Sequence, residues 1–256
     1  MTSRWTLIGG VRMHALEWGT AAMSSGPAIV LVHGLGVSSR YMVPLGDQLG
    51  SARHVFAPDL PGFGRSSSPA QPFSIADHAR ALEEWIRASD IGVPVLIGNS
   101  YGCQVIAELA VQTPSLACAL ILSAPTVEKT RRSALGEAGR LLRDAPRERL
   151  ALLPIVIRDY LRAGPRRMIF TLRDAIADRI EDKLPRVTIP TLIVRGARDP
   201  IVSHDWITFL AAQMRSATTA TLPDAPHAVN FSAARDFAAA VIAFVESIPA
   251  AAPRTR

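Results

Sequence analysis

A serine flanked by glycines is the first group in this sequence that could do chemistry. The segment Gly98-Asn99-Ser100-Tyr101-Gly102 fits the pattern G-x-S-x-G. In this pattern the serine stands on a tight turn from a strand into a helix, and the glycines let the two backbones approach each other. A serine hydroxyl is a poor nucleophile until a base removes its proton. The pattern predicts that Ser100 is a nucleophile and that a base lies nearby.

Histidine is the residue expected as the base, and the chain has six. His227 lies in a loop after the last predicted strand and before the final helix. Catalytic side chains of an open α/β sheet lie beyond the carboxyl ends of its strands. We therefore expect His227 to be the base. The other histidines are assigned to strands, helices or loop bracing: His14, His33, His54, His78 and His204.

The acid that orients the histidine should follow another strand. Asp199 does so, five residues after the predicted strand 191–194. It would accept a hydrogen bond from His227, hold its tautomer and stabilise the imidazolium. Asp224 is interpreted as a turn residue, and Glu128 is kept as the alternative acid. The chain order Ser, Asp, His agrees with the order known for such a triad on a strand-to-helix turn.

Two backbone amides are candidates for an oxyanion hole. The Tyr101 amide lies in the first turn of the predicted helix, where free N–H groups and a partial positive charge are found. The second candidate is the Leu35 amide in His33-Gly34-Leu35-Gly36, a loop that follows a predicted strand. Such donors stabilise negative charge that develops on a carbonyl oxygen. The His33 ring is expected to brace this loop.

Short apolar runs alternate with helical patterns, which is typical of a mostly parallel sheet with crossover helices. Ser74 and Asp77 form a capping box before a helix, and another helix should run from Ser100 to a stop before Pro114. The predicted strands are 28–32, 54–58, 95–98, 119–122 and 191–194, with an antiparallel pair at 5–8 and 12–18 and an edge strand at 218–222.

The alternation stops between residues 126 and 190, where only helical patterns occur. One pattern places Leu150, Leu153, Ile157 and Leu161 on a single face, and Pro146 and Gly164-Pro165 separate the patterns. We expect a helical lid at 126–186, inserted between core segments 1–125 and 187–256. It should help to form an apolar pocket. The expected pocket residues are Val37, Met42, Pro125, Leu153 and Ile157.

Charge and composition limit the classes of partner. The net charge is +6, and residues 126–186 hold 15 basic and 9 acidic residues, so 15 minus 9 gives the whole excess. The arginines alternate with apolar residues at helical spacing, which favours a solvated helix face over a nucleic-acid site. No apolar run is long enough to span a membrane, and no secretory signal is recognised. We expect a cytoplasmic monomer or homodimer that binds a small molecule and no membrane.

These motifs together resemble the α/β-hydrolase superfamily, in particular its capped group of esterases and meta-cleavage-product hydrolases. The resemblance rests on His33-Gly34, the segment 59–66, the G-x-S-x-G segment, Asp199 and His227. It implies an eight-stranded, mostly parallel sheet flanked by helices, with a small helical lid after the sixth strand. In the dehalogenases and epoxide hydrolases that belong to this superfamily, Asp stands at the position that Ser100 occupies in this chain.

Hydrolysis of a small, largely apolar carboxylic ester, thioester or lactone is the expected activity. It would use the triad Ser100, Asp199 and His227 and an acyl-enzyme. The first alternative is C–C bond hydrolysis of a diketone acid, which an arginine directed into the pocket would favour. The second is a ligand-binding protein with little turnover. No metal or dinucleotide motif is present, and no cofactor is expected.

Overall fold

The computed structural model describes residues 1–23 and 26–248, so the tail 250–256, which the sequence predicts to fray, lies outside the described residues. Eight strands of the described part form one sheet. Their bounds are β1 Thr2–Ile8, β2 Val11–Trp18, β3 Ile29–Val32, β4 Val55–Pro58, β5 Val95–Asn99, β6 Ala119–Ser123, β7 Thr191–Gly196 and β8 Ala217–Leu222.

The sheet order is β1-β2-β4-β3-β5-β6-β7-β8. The first two strands are antiparallel to their neighbours, and all strands from β4 to β8 are parallel. This confirms the predicted eight-stranded, mostly parallel sheet, with β8 at its edge. The strand β5, which carries Ser100 at its end, lies between β3 and β6. The carboxyl ends of the parallel strands therefore meet around Ser100.

Helices cover both faces of the sheet, which explains why its inner strands are apolar without alternation. Helices α2, α3 and α8 pack on one face, and α1 and α10 pack on the other. The predicted capping box at Ser74 and Asp77 begins α2. The helix bounds are α1 Val43–Leu49, α2 Ile75–Ala88, α3 Tyr101–Gln112, α4 Ala134–Asp144, α5 Leu153–Ala163, α6 Pro165–Ala177, α7 Ile180–Lys183, α8 His204–Ala212, α9 Val229–Ser232 and α10 Ala234–Ser247.

Helices α4 to α7 lie between β6 and β7, and we call them the helical insertion. Gly164 stands between α5 and α6 with a positive φ of 75°, a conformation that glycine adopts at little cost. Pro146 lies in a short 3₁₀ turn after α4, so both predicted breaks occur. The short α7 adds one helix to the three that the patterns predict.

The turn from β5 into α3 depends on two close backbone contacts. Ser100 has φ 53° and ψ −116°, which is a strained conformation for a residue with a side chain. A Cβ on Gly98 would lie 2.6 Å from the Gly102 carbonyl group, and one on Gly102 would lie 2.3 Å from the Val32 carbonyl oxygen. Both distances are too short for non-bonded atoms, so glycine is required at each position.

Helix length and hydropathy show whether a helix could cross a lipid bilayer. Across residues 1–23 and 26–248, no helix combines the length and the apolar character that a crossing requires.

Replacing Gly102 by Ala should destabilise the protein, because the new Cβ forces α3 away from the end of β3. We expect a loss of about 1–3 kcal/mol in the free energy of unfolding. Gly139→Ala is the matched control, since Gly139 lies inside α4 with open space around it. There alanine should gain up to about 1 kcal/mol. Urea unfolding followed by circular dichroism measures both, and equal midpoints for the two variants would show that the close contact at Gly102 does not limit stability.

Candidate active site

Ser100 is held at the strand end by backbone hydrogen bonds on both sides. Its N–H donates to the Ser123 carbonyl oxygen at 2.9 Å, and its carbonyl oxygen accepts from the Cys103 amide at 2.9 Å. The Ser100 hydroxyl lies 3.3 Å from the Thr126 hydroxyl, and either can be the donor. The serine is therefore fixed by main-chain contacts to β6 and α3, and its hydroxyl contacts a side chain that follows β6.

His227 and Asp199 are brought together as the sequence predicts. The Nδ1 atom of His227 lies 2.9 Å from Oδ2 of Asp199, and both side chains are buried. The other Asp199 oxygen accepts from the backbone amides of Ile201 and Val202 at 2.7 and 3.1 Å. With Nδ1 as the donor, Nε2 of His227 is the atom left to accept a proton.

The two alternative acids lie elsewhere. Asp224 has a positive φ of 54° in the turn after β8, in agreement with its predicted turn role. Glu128 accepts a hydrogen bond from the Ser203 amide at 2.5 Å and pairs with Arg131. Neither contributes a hydrogen bond to His227 in the described structure.

The histidine is surrounded by more than one carboxyl group. Burial lowers the pKa of His227, but the charge of Asp199 and its hydrogen bond raise it. The carboxylates of Asp144 and Glu148 raise it further, so that the pKa lies at about 9. The imidazolium form is therefore stabilised, as a base that receives a proton from a serine requires.

Asn99, the residue before Ser100, connects three parts of the site. Its side-chain amide donates to Ser123 and to the His227 carbonyl oxygen, at 3.3 Å or slightly more. Its side-chain oxygen accepts from the Tyr41 hydroxyl at 2.8 Å. The position is fully buried, so these contacts are shielded from water. Asn99 thus ties the serine turn to the histidine loop.

Two carboxyl groups at the end of α4 and just after it contact the histidine loop. The His227 amide donates to Oδ1 of Asp144 at 3.3 Å, and the Ala228 amide donates to Oε1 of Glu148 at 2.6 Å. The second oxygen of Glu148 accepts from the Ser232 hydroxyl. Burial raises the pKa of Asp144, the His227 ring lowers it, and the Glu148 carboxyl raises it again, to about 7. The helical insertion therefore contacts the predicted base directly.

A cavity of about 670 Å³ lies between the serine turn and the helical insertion. The predicted triad members Ser100 and His227 line it, as do Leu35 and Tyr101, whose amides are the predicted oxyanion donors. Its charged lining residues are Glu137, Asp144, Glu148 and Arg149. Most of the wall is apolar and includes Leu141, Leu142, Leu150, Leu152, Val156, Met168, Ile169 and Leu172.

The predicted pocket residues are only partly placed at this cavity. Val37 and Leu153 line it. Met42 instead is fully buried in the core on the α1 face. Pro125 does not line the cavity, and its carbonyl oxygen accepts from the Trp206 indole at 3.0 Å. The cavity side of α5 is formed by residues 153, 156 and 160, so Ile157 falls beside that face and is exposed.

The remaining reactive side chains near Ser100 have structural partners. Leu60 donates its amide to Nε2 of His33 at 3.0 Å, and the other ring nitrogen contacts the Gly34 carbonyl oxygen at 2.9 Å. His33 therefore braces the loop, as expected. Burial raises the pKa of the Cys103 thiol well above its usual range, so the thiolate is disfavoured.

Sequence reasoning missed Thr126, Asn99, Asp144 and Glu148. Asn99 had a signal, because it stands inside the G-x-S-x-G pattern where any residue is allowed. Thr126 directly follows Pro125 near a strand end, which is a weaker signal. The two insertion carboxyls carry none, since helical spacing does not tell which core loop a helix end will meet.

The arginines of the helical insertion are mostly directed away from the cavity. Arg149 lines it, whereas several others pair with carboxylates of the same region or its neighbours. The arginine ion pairs are Arg131–Glu128, Arg132–Glu181, Arg140–Glu137 and Arg179–Asp182, and Lys183 pairs with Glu108. At the cavity wall, Glu137 is neutralised by Arg140, and Asp144 and Glu148 are the acidic groups without an ion pair among the described residues.

Comparison with known proteins gives partial and full-length similarities. An uncharacterized protein of Mycobacterium tuberculosis is 37% identical over 98 residues, covering 38% of this chain and 29% of that protein. A haloalkane dehalogenase of Mycolicibacterium paratuberculosis is 28% identical over 76% of this chain and 74% of that protein. The chain thus spans less than a third of the first relative and most of the second.

Solved structures share the fold. The enol-lactonase from Burkholderia xenovorans superposes with a TM-score of 0.80 at 19% identity, over 95% of this chain and 100% of that one. Identity at this level supports the fold and leaves the substrate open. Residues 29–240 match the sequence profile of the alpha/beta hydrolase family. The eight-stranded sheet, the serine turn and this match lead to one conclusion: the chain belongs to the alpha/beta hydrolase family.

Proposed function

We propose that this protein is a serine carboxylesterase that hydrolyses a small, uncharged and largely apolar ester. One observation carries the proposal: Ser100, on a strained turn, and the His227 ring, hydrogen-bonded to Asp199, line the same apolar cavity. A serine with a strained backbone beside a buried His–Asp pair is an arrangement typical of nucleophilic catalysis. A thioester or lactone offers the same reacting carbonyl.

The reaction follows from the positions of these groups. The Ser100 hydroxyl turns from Thr126 toward Nε2 of His227, which takes its proton as the oxygen attacks the ester carbonyl. Asp199 holds the ring and stabilises the imidazolium. The protonated ring then gives its proton to the leaving alcohol, and an acyl-enzyme remains on Ser100. Water, deprotonated by the same ring, attacks the acyl carbon; the bond to the Ser100 oxygen breaks, the ring returns the proton to that oxygen, and the acid is released.

Charge that develops on the carbonyl oxygen needs donors. The backbone amides of Tyr101 and Leu35 are the donors we propose, because both residues line the cavity beside Ser100. Tyr101 begins α3, whose amino end adds a partial positive charge. Together the two amides would stabilise a tetrahedral intermediate.

The helical insertion is proposed to be a lid that shapes the substrate pocket. It supplies most of the apolar wall and contacts the histidine loop through Asp144 and Glu148. These carboxyls also bear on the C–C hydrolase alternative, whose substrate is an acid. Glu137 at the wall is paired with Arg140, which leaves Asp144 and Glu148 beside Arg149, and these carboxyls favour an uncharged substrate over an anionic one.

The similarity to a haloalkane dehalogenase does not favour dehalogenation as the activity of this chain. This chain has Ser100 on the strand-to-helix turn. Dehalogenases of the same superfamily instead have Asp at that position. A serine there forms an acyl-enzyme from an ester through the adjacent base. A non-catalytic ligand-binding protein is the remaining alternative, and turnover itself separates it from an enzyme.

Replacing Ser100 by Ala should lower kcat for short p-nitrophenyl esters by about a thousandfold or more. The nucleophile is lost while the cavity stays intact. Cys103→Ala is the control, because its buried thiol contacts the same turn and is not expected to react. Initial rates over a series of acyl lengths measure both effects. Equal, slow rates for the wild type and Ser100→Ala would reject the esterase proposal and favour the ligand-binding alternative.

The pH dependence of kcat/KM should report His227. Its pKa of about 9 lies above the ordinary value, and only the neutral ring can accept a proton. We therefore expect kcat/KM to rise about tenfold per pH unit below that pKa and to level off above it. Asp199→Asn should shift this rise in kcat/KM to lower pH, because the carboxylate that raises the pKa of His227 is removed. If kcat/KM rises at the same pH in that variant as in the wild type, the titrating group is not His227.

Neutral esters should be preferred over esters of the same length that carry a carboxylate. Repulsion by Asp144 and Glu148 should give on the order of tenfold lower kcat/KM for p-nitrophenyl succinate than for p-nitrophenyl butyrate. Asp144→Asn combined with Glu148→Gln should narrow this ratio, whereas Asp236→Asn, exposed on α10, should leave it unchanged. A preference for the anionic ester would support the C–C hydrolase alternative.

A further inference from the structure

Exposed apolar side chains are concentrated on the helical insertion. Fourteen large apolar side chains are exposed within the described residues, and nine of them belong to this region. The nine are Leu135, Leu141, Leu142, Leu150, Leu153, Ile157, Leu161, Ile169 and Phe170. Single exposed apolar residues are common, but a group of them on one segment marks an interaction surface.

The most regular part of this surface is a row along α5 that we call the apolar stripe, formed by Leu150, Leu153, Ile157 and Leu161. From its helical spacing we expected this face to contribute Leu153 and Ile157 to the wall of the substrate pocket. The structure instead leaves Leu150 88% and Leu161 78% exposed. Of the four stripe residues, Leu150 and Leu153 border the cavity, whereas Ile157 and Leu161 lie outside it. An amphipathic helix here presents its apolar side to the surroundings.

The stripe is continuous with the mouth of the cavity. Leu141, Leu142, Leu150, Leu153 and Ile169 are exposed and also line the cavity around Ser100. They come from α4, α5, α6 and the turn before α5, so several elements converge on one opening. The exposed apolar surface therefore extends to the rim of the cavity that Ser100 lines.

Positive charge accompanies the stripe. Arg158 and Arg162 each follow a stripe residue, are exposed and form no ion pair with the described residues. Arg143 next to Leu142 is likewise exposed and unpaired with any described carboxylate. Residues 126–186 account for the whole net charge, since 15 minus 9 gives +6. Exposed leucines bordered by arginines are typical of helices that lie in a membrane interface.

We propose that the helical insertion docks on an anionic lipid surface, with the apolar stripe in the interface and the flanking arginines on the lipid headgroups. The proposal goes beyond the esterase assignment and departs from our expectation of no membrane partner, which considered only spanning segments. Charge favours an anionic lipid surface over the other candidate occupant of such a face, which is a second copy of this chain. Two copies would bring two basic surfaces together, whereas anionic lipid attracts them. Delivery of an apolar ester from the lipid to Ser100 is the one part that rests on the proposed function.

Vesicle co-sedimentation tests the docking without any turnover, so its failure and that of the esterase proposal are distinguishable. The wild type should sediment with phosphatidylcholine vesicles that contain phosphatidylglycerol, and much less with phosphatidylcholine alone. High salt should weaken the binding, because it screens the arginines. Ile157→Ser combined with Leu161→Ser should weaken it by about tenfold, since two inserted apolar groups are lost. Neither residue lines the cavity.

Val93→Ser combined with Leu7→Ser is the matched control. These two residues are 51% and 72% exposed, close to the 51% and 78% of Ile157 and Leu161, and they lie outside the helical insertion. The control should bind as the wild type does, and urea midpoints should show that both double variants are folded. Absence of binding to the anionic vesicles would overturn the proposal, as would equal loss in both double variants. Light scattering that shows a dimer, dissociated by the Ile157 and Leu161 changes, would identify the stripe as a self-association face instead.

Discussion

The close approach of three backbones around Ser100 is the constraint on which the rest of the site depends. The first turn of α3 lies against the ends of β5 and β3 so closely that Gly98 and Gly102 leave no room for a Cβ. Within this packing Ser100 has a positive φ, and it lines the cavity. Strain of this kind costs of order 1–3 kcal/mol and persists only where the surroundings fix it. Here the backbone bonds to β6 and α3 fix it.

The histidine loop is held in a different way, by side chains from distant parts of the chain. Asp199 holds the His227 ring, Asn99 holds its carbonyl oxygen, and Asp144 and Glu148 hold the amides of the loop. These segments are far apart in sequence, so the loop takes its position only when the sheet and the helical insertion are both folded. Its geometry therefore depends on the insertion as well as on the core. Movement of α4 and of the turn after it would be transmitted to the histidine loop through the hydrogen bonds of Asp144 and Glu148.

Much of the fold and the triad candidates could be predicted because they depend on local signals. Apolar runs marked the strands, Ser74 and Asp77 marked the start of α2, and G-x-S-x-G marked the serine turn. The pocket walls could not be predicted in the same way. Met42 is in the core and Ile157 is exposed because a rotation of one residue about a helix axis decides which face meets the cavity. Thr126 and Asp144 reach the site only through tertiary packing.

The apolar stripe is a second example in which the sequence pattern identified a helix face but not its contacts. Helical periodicity identifies which side chains share a face, but it does not identify what covers that face. For α2, the apolar face packs on the sheet and is buried. For α5, Leu153, Val156 and Tyr160 line the cavity, and Ile157 and Leu161 beside them remain exposed. An apolar face that the fold leaves open, next to unpaired arginines and an apolar cavity, points to a partner outside the chain. Its charge then favours an anionic surface over another copy of the same basic face.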